Sequence, residues 1–147
     1  MPRPLAARVA TLRPSATVEM TERVRAARAA GRRILALNSG DPGIATDSRI
    51  VEAAHRAILA GDTRYAPAQG VPALREALAV RENARGGSRY GADDILVTPG
   101  GKFALLAALM GTVEAGDEVI VPAPGWVSYE PCVRLCGGVP VALPMLD

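Results

Sequence analysis

The stretch VTPGGKFAL, residues 97–105, joins an apolar run to a helical pattern through a Pro-Gly-Gly-Lys turn. A glycine turn that leaves a strand and opens a helix aims free backbone N–H groups at one point. The positive end of the helix dipole lies behind them. Such a junction is an anion site in waiting, and Lys102 adds charge at its rim. Lys102 is the chain's only lysine, so it is also the only side-chain amine available as a nucleophile. The motif is neither a Walker A loop nor GxGxxG. Taken alone, two glycines at such a junction are more often just a turn.

Three other stretches can carry chemistry. PAPGWVSY, residues 122–129, puts the sole tryptophan, Trp126, directly after an apolar run and a stiff loop. In parallel α/β sheets ligands gather outside the carboxyl ends of the strands, where an indole can stack on a flat ring. A tryptophan sealing a helix against a sheet fits the same composition. The loop NSGDPG, residues 38–43, leaves the Gly40 amide available to a small carboxylate, or merely connects two elements. TRYAP, residues 63–67, presents Tyr65, either as a hydrogen-bond donor to an anion or as a packed loop anchor. Cys132 and Cys136 stand i,i+4 on one helix face, too far apart for normal disulfide geometry. With His55 the single histidine, a metal site lacks ligands. The thiols read as small buried groups, and His55 reads as a helix-surface residue.

These residues need elements to hold them. Residues 1–16, rich in Pro and Arg, read as an arm. Helical periodicity predicts helices over 17–30, 48–60 (capped by Asp47 and stopped by Gly61), 71–84, 101–113 and 126–136. Apolar runs predict strands at 34–37, 94–98, 118–122 and 139–143. From residue 94 onward strands and helices alternate, the pattern of parallel βαβ units with right-handed crossovers. Such a sheet is normally covered on both faces and extended further, so the front part of a larger protein is expected.

The chain's 147 residues suffice for about one modest core. A 49% hydrophobic and 22% charged composition is globular. A net charge of +2 is too small to argue for nucleic acid or an acidic membrane. Arginines scattered through Ala-rich helices read as solvated faces. The N-terminus lacks the apolar core of a secretory signal, and no apolar run reaches the ~20 residues of a membrane span. A cytoplasmic protein is expected.

Together the motifs resemble the N-terminal part of class I/II aminotransferases, the fold type I enzymes that use pyridoxal 5′-phosphate. The bacterial aspartate aminotransferase branch is the nearest in pattern. The resemblance runs from about Pro14 to Leu143. PSAT looks like the start of the family's first helix, NSGDPG like its substrate loop and TRYAPAQGVPALREALA like the segment after it. VTPGGKFAL looks like the phosphate loop, and GDEVIVPAPGWVSYEPCVRLCGGVPV like the next strand, aromatic platform and helix.

The resemblance implies an α/β fold: a helical N-terminal segment followed by parallel βαβ units of an incomplete large domain. It implies an arm over 1–16, a small-domain-like helical segment with the substrate loop over 17–60, and the start of the cofactor-binding domain over 61–147. Gly100, Gly101 and Lys102 would line the cofactor phosphate. Trp126 would stack on the pyridine ring and face the substrate. Gly40 would offer its amide to the substrate carboxylate, and Tyr65 would reach a phosphate across a homodimer interface. Gly125 stands where the family usually carries a bulky aromatic residue, and the substrate loop reads GDP where GEP is commoner.

The family's Schiff-base lysine lies further along, so the resemblance makes Lys102 part of the phosphate loop and no nucleophile. The implied reaction is ping-pong transfer of an amino group from aspartate or a similar amino acid to a 2-oxo acid, with this chain an N-terminal fragment without catalytic residues of its own. The rival expectation is a catalytically silent, truncated homologue serving as a binding or oligomer-interaction remnant. A nucleotide-binding α/β domain is the third, opposed by the missing phosphate-loop motifs.

Overall fold

The computed structural model describes residues 5–10, 12–87 and 89–145. The chain forms two compact units, one of residues 1–41 with 101–147 and the other of residues 42–100.

The first unit contains the sheet. Its strands β1 (Glu118–Ala123) and β2 (Val139–Pro144) run parallel, Glu118 opposite Val139 through Ala123 opposite Pro144. A parallel pair needs a crossover, and α6 (Tyr129–Leu135) supplies it, with Pro131 in its first turn, where a missing N–H is tolerated. Helix α6 lies against both strands and against α5 (Gly101–Thr112). Cys132 and Val133 of α6, with Val121 of β1, are the buried apolar residues; Val133 is only 2% exposed. Helix α5 is apolar on most sides, yet Phe103 and Met110 remain exposed. A helix of that composition is built to be covered all round.

Of the arm expected over 1–16, residues 1–4 and 11 lie outside the described residues. Ala7–Ala10 form one helical turn, α1, which lies against α6. Helix α2 (Ala16–Ala29) follows. Arg28 then donates to the Ile34 carbonyl at 3.2 Å, and the Asn38 amide donates to the Thr21 hydroxyl at 3.0 Å, tying the connection back onto α2.

The second unit holds α3 (Ser48–Leu59) and α4 (Pro72–Ala84). The Asp47 carboxylate accepts from the Arg49 amide at 2.9 Å, the expected cap. Helix α4 begins with proline at its first position, where that residue is preorganised. It packs on a short 3₁₀ turn, Ala92–Asp94. Here Ala79 is buried, and so is Arg75, contrary to the expectation that the arginines form solvated faces. The side chain finds acceptors from the neighbouring turn, which helical periodicity alone does not announce.

Two expected strands are absent. Residues 34–37 and 95–98 are irregular, with residue 94 closing the 3₁₀ turn. A strand exists only through its partner, and Leu35 and Leu37 are each 87% exposed with no ladder beside them. In the 95–98 run the Val97 amide makes a single bond, to the Gln69 carbonyl at 2.9 Å. The crossover helix also starts later than expected, at Tyr129 instead of 126. Trp126 and Val127 belong to the turn before it, closed by the Tyr129 amide on the Trp126 carbonyl at 3.1 Å.

Candidate functional site

The glycine turn divides as its chemistry requires. Gly100 adopts φ +93°, a left-handed conformation that favours glycine. Its amide is used by the Thr98 carbonyl at 2.7 Å, and the Thr98 hydroxyl donates to the Gly100 carbonyl at 3.1 Å. These two bonds fold the chain just before α5. Gly101 opens that helix, whose first amides have no acceptor within the helix. A Cβ built on Gly100 or Gly101 would meet nothing within 4 Å, so a ligand can approach the backbone closely at both.

Lys102 and Trp126, 24 positions apart in sequence, are brought together in the first unit. The Lys102 Nζ stands over the indole, 5.5 Å from its centroid, within cation–π range. Trp126 is 45% exposed, so the indole is no buried seal of helix against sheet. Tyr129 meets it edge-on, with centroids 5.5 Å apart and planes at 90°. Sequence reasoning missed Tyr129 as a support for the platform; its signal was the position three residues beyond the tryptophan. At Gly125 an added Cβ would run into the Pro122 carbonyl oxygen. This backbone has no room for the aromatic residue usual at that place, and Trp126 takes its support from Tyr129.

Beside Lys102 lies a groove of about 330 Å³, lined by Arg13, Ser15, Lys102, Val127, Ser128 and Cys132, with further apolar walls. That volume suits a small ligand, and two cations stand along it. Burial pushes the Cys132 thiol above its ordinary range, the Cys136 thiol adds to this, and the Lys102 charge partly opposes it. Both thiols are free, Cys132 buried and Cys136 half-buried. Gly40 is exposed, with open space around it. Tyr65 belongs to the second unit and its side chain is fully exposed. His55 is exposed on α3. No group of three or more His, Cys, Asp or Glu among the described residues is placed to hold a metal. No described helix is long and apolar enough to cross a membrane.

An open, glycine-lined helix start, a lysine at its rim and a half-exposed indole beside that lysine fit a ligand combining a phosphate with a flat ring. The comparisons with known proteins agree in family. The family model "Aminotransferase class I and II" matches residues 32–147. The chain is 43% identical over 144 residues to a probable aspartate/prephenate aminotransferase of Thermus aquaticus, covering 98% of this chain and 38% of that protein. It is 41% identical to an aspartate aminotransferase of Geobacillus stearothermophilus, covering 97% of this chain and 36% of that protein. The solved structure of Thermus thermophilus aspartate aminotransferase with maleate superposes with a TM-score of 0.93 at 42% identity, over 98% of this chain and 38% of that one. The chain thus spans less than two-fifths of the length of these relatives. The fold is that of an α/β pyridoxal-phosphate-dependent aminotransferase over this span, and the chain belongs to the class I and II aminotransferases.

Proposed function

We propose that this chain supplies the phosphate grip, the ring platform and part of the substrate site of a pyridoxal-phosphate aminotransferase. The observation that carries the reading is the meeting of Lys102 with Trp126 beside the open start of α5. Gly101 and Lys102 would hold the cofactor phosphate through the open amides at the start of α5 and one ammonium, with Gly100, whose own amide is taken by Thr98, lining the turn without a side chain in the way. Trp126, braced by Tyr129, would carry the pyridine ring on its exposed face. Gly40 would receive the substrate α-carboxylate on its amide. Tyr65 would donate to a cofactor phosphate in the partner subunit of a homodimer. The substrate is aspartate or a similar acidic amino acid, with a 2-oxo acid as acceptor; Arg13 along the groove suits a side-chain carboxylate. The enzyme works in the cytoplasm. Residues 1–16 serve as an arm, 17–60 as a small-domain segment and 61–147 as the start of the cofactor-binding domain.

Bound pyridoxal phosphate supplies the electron sink that lets the substrate's Cα–H bond break. The residues named above bind and orient; none of them moves a proton. Lys102 stands at the glycine turn, where its place is that of a phosphate contact.

The test is a titration with pyridoxal 5′-phosphate followed by the fluorescence of the lone tryptophan. Saturable quenching is expected. Lys102→Met should weaken it about tenfold, the worth of one charge-assisted contact to a phosphate. No quenching in folded protein defeats the proposal. In a protein extended to the length of the relatives, borohydride reduction and peptide mapping should place the covalent label on a lysine other than Lys102.

A further inference from the structure

Arg75 is an odd residue to find buried. It projects from α4 with its side chain only 11% exposed. One nitrogen, Nη1, reaches the Gln69 Oε1 at 3.0 Å, the Ala92 carbonyl at 3.0 Å and the Asp93 carboxylate at 3.3 Å. Nε is buried without any partner. Asp93 is 97% exposed, so its ion pair is screened and supplies little of the reason for this arrangement. An arginine held with a donor unsatisfied is costly, and what it joins explains where it sits. Gln69 is the last residue but one of the TRYAPAQG loop, while Ala92 and Asp93 begin the run toward the glycine turn.

The junction closes from the other side as well. The Gln69 carbonyl accepts from the Val97 amide at 2.9 Å. At Gly70, with φ +106°, a Cβ would lie 2.6 Å from both Cβ and Cγ2 of Val97, so the two backbones touch as closely as side chains allow. Val97 is followed by Thr98, whose two bonds to Gly100 shape the turn. The path is continuous: Arg75 to Gln69, Gln69 to Val97, and Val97 through Thr98 to Gly100.

We infer that Arg75 is a positioning residue, which through Gln69 and the Val97 amide sets the backbone that delivers Gly100 to the phosphate turn. It touches no ligand. The inference rests on the phosphate reading given above, and its test separates the two. The probes are pyridoxine 5′-phosphate and pyridoxine, which lack an aldehyde and cannot form an imine, titrated by tryptophan fluorescence. Wild-type chain should prefer the phosphorylated probe by about tenfold or more, the scale of a charge-assisted phosphate grip. Arg75→Gln should reduce that preference to less than about threefold while leaving the pyridoxine affinity unchanged.

A role confined to stability would lower the melting temperature and leave the ratio at its wild-type value, which overturns the inference. No preference in the wild type overturns the phosphate reading and this inference with it. Should Arg75→Gln fail to fold, Gln69→Ala keeps the arginine and cuts its link to the loop. It should lower the same ratio and speed hydrogen exchange at the Val97 amide; an unchanged ratio again overturns the inference.

Discussion

Each of the two units is stabilised internally by different physics. In the first, Val133, Cys132 and Val121 form an apolar core between a helix and a parallel ribbon. In the second, the buried residues are Ala79 and Arg75, while Ile50, Val51, Ile58 and Leu59 of α3 stay exposed. One unit closes by excluding water from hydrocarbon, the other by spending an arginine's hydrogen bonds on three loop acceptors. Hydrocarbon burial is non-directional and tolerates small shifts. Hydrogen bonds from a guanidinium nitrogen do not, since they weaken steeply off axis. The polar junction therefore suits a segment whose backbone must be aimed, and the apolar core suits one that must only be firm.

The contrast can be broken most severely at Val133. Val133→Asp buries a carboxylate without a partner and should cost about 4 kcal/mol or more, enough to unfold a marginal unit. Urea unfolding followed by Trp126 fluorescence reports the first unit, because the only tryptophan lies there. Gly70→Ala attacks the second unit and should cost about 2 kcal/mol through the clash with Val97 and the strained φ. That loss should appear in hydrogen exchange at Val97, with tryptophan emission nearly unmoved. If Gly70→Ala shifts the emission as much as the helical signal, the division of labour between the units is wrong.

Smaller effects sharpen the picture. In native protein the half-buried Cys136 should react with an alkylating reagent about tenfold faster than Cys132, whose burial and raised pKa both withhold the thiolate; equal rates would mean the apolar core is looser than drawn. The smallest change concerns the α3 cap. The Arg49 guanidinium and amide hold the Asp47 carboxyl below its ordinary value of 3.8. A carboxyl lowered on folding adds stability above that value and loses it as the pH falls through the folded pKa. Helical content should therefore decline slightly in acid below pH ~4, and less so in Asp47→Asn, as read by circular dichroism.

Local signals were read well where the residues themselves carried the instruction. Asp47 and Gly61 bracket α3, because caps and breakers act within one turn of their own position. The glycine turn and the strands at 118–123 and 139–144 were legible for the same reason. Residues 34–37 and 95–98 look like strands in composition, but pairing is a property of two segments and neither has a ladder here. Trp126 could be placed near the glycine turn from topology, whereas its edge-on support by Tyr129 depends on where α6 begins. Arg75 was invisible. Nothing within its own helix distinguishes it from the exposed Arg81, and its burial is decided by a turn 17 residues away.

The solitary ε-amine over the indole has a practical corollary. Any aldehyde given to this chain, the vitamin derivative included, finds one side-chain amine to condense with, and that amine sits at the rim of the glycine turn. On the proposed reading, a reduced adduct recovered at Lys102 would be a footprint of docking at that turn and not a working attachment point.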